Sequence, residues 1–349
     1  MRERTGLIKK LFFSLAVIVI VALIIAIIII YQPDNQETSN QRILNVLNWT
    51  SYIPDEVIND FENEYNIKVN YGTYSSNEEL LAKLTSSREG TYDLVFPSDY
   101  MIDLMISRNL LETLDQEKLE NKDNLNPIFL KQSYDPDNSY SLPFLLATTV
   151  FLYDSNKTGP ITSYKDLKKP ELENNLVMLD DQRIVIGAML NACGYDMNDV
   201  REDHLEESLE FFNQIKSNIK AFDSDSPKTF FITKEVDAGL VWNAEAILAR
   251  EENPDLTISY PAEGFALSMD NYAIVKGAKN VDSAYLFIDY LLRSDVAQKI
   301  VDEYPYISAI KGVESLPEEE LERILANGAY IQNVGADIKR FDKLWAKYK

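Results

Sequence analysis

The 349-residue chain has one cysteine, one histidine and twelve glycines, and it is poor in positive charge. Its 34 Lys and Arg face 56 Asp and Glu, a formal net charge of −22. Each scarcity excludes something. A lone Cys193 permits no intramolecular disulfide. It lies in an apolar, helix-patterned run, 187–194, that ends in glycine and has nothing electropositive beside it, so the expected role is packing rather than reaction. The lone His204 lies in Arg201-Glu202-Asp203-His204-Leu205-Glu206-Glu207, a polar helix start, and reads as a surface residue. A Ser or Cys nucleophile therefore lacks its usual base. Gly-rich phosphate loops, G-x-G-x-x-G and Cys/His clusters with metal spacing are all missing, so no cofactor and no metal is expected. Paired carboxylates leave acid–base catalysis open, as the residual case for an extracellular enzyme. The acidic balance also argues against nucleic acid as a partner. It either steers a cationic ligand or is only a solvated surface.

What is present begins with residues 11–31, an uncharged run made mostly of Ile, Val, Leu and Ala. At about 1.5 Å per residue it matches a bilayer core of roughly 30 Å. Arg2, Arg4, Lys9 and Lys10 precede it, and Asp34 and Glu37 follow. The positive-inside rule puts 1–10 in the cytoplasm and everything beyond 32 outside the cell membrane, with 11–31 as a single-pass anchor and 32–41 as a polar tether. A cleaved signal peptide is the competing reading. Its apolar region is usually shorter, about 7–15 residues, and ends in small residues, whereas this run ends in four isoleucines.

Beyond the tether, strand and helix signals alternate, which predicts an α/β fold, and the βαβαβ start over 43–109 implies a parallel sheet there. Strands are expected at 43–49, 67–74, 93–97, 141–154, 176–179, 239–241 and 256–260, with another at 265–275 interrupted by Ser268-Met269-Asp270. Helices are expected at 54–66, 98–109, 182–192, 204–220, 283–292 and 295–304, and another opens at Ser76, where Ser76 with Glu79 suggests a capping box. Aromatic or polar residues punctuate the strand ends: Trp49 with Thr50 and Tyr52, Ser98 with Tyr100, Asp181, Trp242 and Asp270. Ligands of open α/β sheets bind at that edge. Plainer roles stay open: Trp49 and Tyr52 plugging an interface, Asp181 capping a helix, Trp242 lying in the core. Together, aromatics and carboxylates suit an organic cation. An ammonium over a ring gains about 0.5–2 kcal/mol, and a charge-assisted hydrogen bond on the order of 1.5–3 kcal/mol.

At these residues the chain resembles the polyamine-binding proteins of spermidine/putrescine-type ABC importers. The resemblance runs over about 42–349 and rests on Asn48-Trp49-Thr50-Ser51-Tyr52-Ile53-Pro54, Tyr92 to Tyr100, Tyr140 to Phe144, Asp180-Asp181-Gln182-Arg183, Gly239 to Asn243, Met269-Asp270-Asn271 and the helix pair around 284–298. It implies a two-lobe periplasmic-binding-protein-like fold of type II with an interlobe cleft that closes by hinge motion. One lobe would be 42–146 plus 270–312, the other 147–269 plus 313–349. It implies ligand contacts at Trp49, Tyr52, Ser98, Tyr100, Asp181, Trp242, Asp270 and Tyr306, and Thr50 joins them as the polar residue between the first two aromatics. It further implies a polyamine-like cation and a membrane permease as partners, no enzymatic activity, and a monomer. Three positions depart from the family pattern, Ser51 and Ile184 where acids are expected and Ser268 where an aromatic is expected, and the family's Gln near the C-terminus falls at about Ile331 or Gln332. A ligand with fewer ammonium groups than a triamine then fits better, unless Glu245 or Asp99 compensates. A receptor for another small cation or zwitterion, or a tethered sensor domain, remains as the alternative.

Overall fold

The apolar run after the tether forms β1, Arg42–Trp49, which lies parallel to β2, Ile67–Tyr74, and to the two-residue β3, Leu94–Val95. Parallel strands covered on both faces read as continuous apolar runs, and Leu44, Val46, Leu47, Leu94 and Val95 are all buried. In this computed structural model residues 42–349 are described, and they pack as one unit. The anchor and tether expected at 11–31 and 32–41 lie outside the described residues. Among the described residues no helix is long and apolar enough to cross a membrane.

Two long strands hold the sheet together. These are β4, Leu142–Asp154, and, after β5 (Leu176–Met178), β6 (Ile219–Phe222), β7 (Ala238–Trp242) and β8 (Leu256–Ser259), the strand β9, Phe265–Ile274. Short β10, Ile307–Ser308, and β11, Gly328–Tyr330, complete eleven strands in the order β2-β1-β3-β9-β4-β7-β5-β6, with β8 and β10 on β4 and β11 on β9. The first half of β4 pairs antiparallel with β9 and β10, while its second half, Thr149 to Tyr153, pairs with β7. One strand thus runs from the β1–β3 side of the sheet to the β5–β7 side. The helix Asp55–Tyr65 buries Val57 and Phe61 on one face, and Asn66 ends it in the left-handed region at φ 51°.

Four expectations need correction. β9 runs unbroken through Ser268-Met269-Asp270, because β4 pairs with it there and burial overrides the weak strand preference of Ser and Asp. The helix expected over 204–220 stops at Ile215 and is followed by β6, so a strand was hidden behind a helix end. His204 is not a surface residue: its ring stacks on Tyr195 at 3.4 Å, and Nδ1 lies 2.7 Å from Asp199 Oδ2. Ser76 does accept from Glu79 N–H, but the Glu79 carboxylate turns to Ser75 N–H rather than closing the box on Ser76. Cys193 is half-buried, and burial, with Glu207 nearby, raises its pKa, in keeping with an unreactive thiol.

Candidate ligand-binding site

Trp49 is the last residue of β1, and a turn through Ser51, which adopts φ 55°, brings Tyr52 back towards it. The indole is fixed from two sides. Its Nε1–H donates to the Phe96 carbonyl at 2.9 Å, and its ring meets Tyr74 at 4.6 Å between centroids. The Tyr52 ring packs against Tyr306 at 4.7 Å between centroids, tilted by 39°, and the Tyr52 hydroxyl donates to Asp270 Oδ2 at 2.6 Å. Ser98, at the N-terminus of the helix Asp99–Ser107, donates to Asp270 Oδ1 at 2.7 Å instead of capping its own helix. Each Asp270 oxygen therefore accepts one hydroxyl and keeps a lone pair free.

Across from these, Asp181 follows β5 and does cap a helix, Gln182–Ala192. Its Oδ1 accepts from the N–H groups of Arg183 and Ile184 at 2.8 and 3.0 Å. Trp242 ends β7 half-buried, and Glu245 lies in the first turn of the helix that follows, Asn243–Glu252. Tyr100 donates to Glu78 Oε1 at 3.2 Å.

All nine expected residues line one cavity, which holds about 700 Å³ of atom-free space including its mouth. Trp49, Thr50, Tyr52, Ser98 and Tyr100 meet Asp181, Trp242, Asp270 and Tyr306 there. Ser51, Ile184 and Ser268, the three departures, line it too, as does Glu245. Asp99 does not. It is buried behind the wall, where Tyr100 N–H donates to it at 2.8 Å. Ile331, one of the two positions matched to the family's C-terminal Gln, lines the cavity as well, and Ser75, Asn77, Ser224 and Asp225, which were not anticipated, complete the lining. Ser224 and Asp225 follow β6, so the strand-end rule would have found them had that strand been recognised.

The electrostatics are lopsided. Burial pushes Asp270 up to about 7, against the pull of the Tyr52 and Ser98 hydroxyls and the nearby Trp49 indole N–H. Burial also raises Asp181, opposed by its two backbone donors and by nearby Arg183. Burial and neighbouring Asp223 raise Asp225. Among the described residues no Lys or Arg forms an ion pair with these three. Arg183 spends its Nη2 on Asn198 Oδ1 and the Gln332 carbonyl and stacks over Phe341. Asp270, buried and uncompensated among rings, can be completed by a cationic ligand, which supplies charge and donors together.

The chain matches the family model described as bacterial extracellular solute-binding protein over residues 56–323. It is 38% identical over 270 residues to a spermidine/putrescine-binding periplasmic protein of Salmonella typhimurium, covering 77% of this chain and 78% of that one. It is 34% identical over 313 residues to a protein of the same description from Escherichia coli, covering 86% and 90%. A solved spermidine/putrescine ABC transporter substrate-binding protein from Streptococcus pneumoniae superimposes with a TM-score of 0.74 at 31% identity, covering 88% of this chain and 98% of that one.

Proposed function

This chain belongs to the bacterial extracellular solute-binding proteins, and from that premise we propose that it is the substrate-binding subunit of an ABC importer, taking up a polyamine outside the cytoplasm. The observation that carries the reading is the state of Asp270: fully enclosed, held by two hydroxyl donors, without a basic partner, and faced by Trp49, Tyr52 and Tyr306. An ammonium group on that carboxylate gains a charge-assisted hydrogen bond, and the rings cover the methylenes at roughly 0.8 kcal/mol per buried CH₂. Asp181 receives the second ammonium. Thr50, Ser98, Tyr100 and Trp242 shape the walls between.

Ser51, Ile184 and Ser268 leave three stretches of this wall without acid or ring. A diamine is therefore favoured over a triamine, each lost ammonium–carboxylate bond costing on the order of 1.5–3 kcal/mol. Two lobes, 42–146 plus 270–312 and 147–269 plus 313–349, close over the ligand by bending at β4 and β9. Support comes from β10 pairing with the first part of β4, and β11 with the first part of β9. Residues 11–31 tether the protein beside its permease, on the strength of their uncharged run behind four basic residues. Calorimetric titration with putrescine, cadaverine and spermidine tests the reading. Binding of at least one is expected, and no heat from any of them overturns it.

A further inference from the structure

Glu245 differs from the other carboxylates of the cavity in that the protein itself supplies a counter-ion. Lys228, the first residue of the short helix Lys228–Ile232, brings Nζ to 2.6 Å from Glu245 Oε1. Glu245 is only 4% exposed, and its Oε2 is buried without a hydrogen-bond partner among the described residues. Glu245 lines the cavity, and Lys228 reaches it from outside that lining. Tyr306 links this corner to the main site: it lines the same cavity as Glu245 and Asp270, and its ring packs against Tyr52 at 4.7 Å between centroids. A ligand chain leaving Asp270 along Tyr306 is therefore directed towards Glu245.

We infer that Lys228 determines specificity: by neutralising Glu245 it removes one negative charge from the cavity and biases the site against a third ammonium. The inference rests on the polyamine reading above and deepens it. A buried carboxylate whose charge is already offset by an internal ammonium on one oxygen gives a ligand ammonium less attraction, and the nearby Lys228 charge repels it. The site thus discriminates by an internal repulsive element as well as by the acids missing at Ser51 and Ile184. Without Lys228, Glu245 is left as a buried acid that only a ligand cation can complete, and burial already raises its pKa.

Titration calorimetry of putrescine and spermidine at pH 7.5 tests this with wild type, Lys228→Met and the double variant Lys228→Met/Glu245→Gln. In Lys228→Met the affinity for spermidine relative to putrescine is expected to rise at least tenfold, with putrescine itself changed less than about threefold. In the double variant, which leaves no unpaired charge and so tolerates folding even if the single variant does not, the ratio is expected to stay within about twofold of wild type. An unchanged ratio in Lys228→Met overturns the inference. So does a tenfold loss of spermidine relative to putrescine in the double variant, because Glu245 would then already be serving as a charged acceptor. If wild type binds neither amine, the polyamine reading fails and takes this inference with it. If wild type binds and the ratios behave otherwise than stated, only the inference falls.

Discussion

The two walls of the cavity treat negative charge differently. On the wall built from β1, β9 and the start of the helix Asp99–Ser107, Asp270 receives only neutral hydroxyls and stands with no cation. On the opposite wall every carboxylate has help. Asp181 has two helix N–H groups with Arg183 nearby, Glu245 has Lys228, and Asp225 has solvent at the mouth. The difference teaches where ligand charge is demanded. A carboxylate with internal compensation waits in an empty cavity at lower cost, although burial still raises Asp181 and Glu245, whereas Asp270 is unfavourable as an anion until a cation arrives.

Replacing Asp270 should break this contrast most severely. Asp270→Asn is expected to weaken diamine binding about 100-fold, near 3 kcal/mol, by titration calorimetry. The same change should stabilise the empty protein in alkaline buffer. Asp270 binds its proton more tightly when folded, near pH 7, than when unfolded, so its stabilising contribution is complete below about pH 4 and is lost as pH rises through 7. At pH 8 the empty variant should therefore melt above wild type, by at most the roughly 4 kcal/mol that a displacement of about three pH units represents. A variant that melts lower at pH 8 and binds unchanged would put the charge demand elsewhere. Asp181→Asn should act more gently, weakening binding about tenfold while leaving stability within about 0.5 kcal/mol, because Asn is as good an N-cap. Equal losses at 181 and 270 would erase the distinction between the walls.

Much of the Asp270 wall was legible in the sequence. Trp49, Tyr52, Ser98 and Tyr100 follow plain apolar runs, and a loop or helix start after a strand in an α/β chain has a defined place. The opposite wall was less so. Ile219–Phe222 comes directly after a helix and a single 3₁₀ turn, so β6 was read as helix and Ser224 and Asp225 vanished with it. The Lys228–Glu245 pair joins two helices seventeen residues apart, and no local pattern announces it. His204 looked solvated because the start of its helix is polar and mostly acidic, yet the turn before it delivers both a stacking ring, Tyr195, and a carboxylate, Asp199. Periodicity reports which way an element faces, not what a neighbouring turn lays over it.

The most direct test of a cation-completed Asp270 is the number of protons released when putrescine binds at pH 6.5, from calorimetry in two buffers of different ionisation enthalpy. With Asp270 titrating near 7 in the empty protein and ionised in the complex, about three-quarters of a proton should leave per ligand, and none in Asp270→Asn. Binding without proton release in the wild type, or an equal release in the variant, would contradict the account.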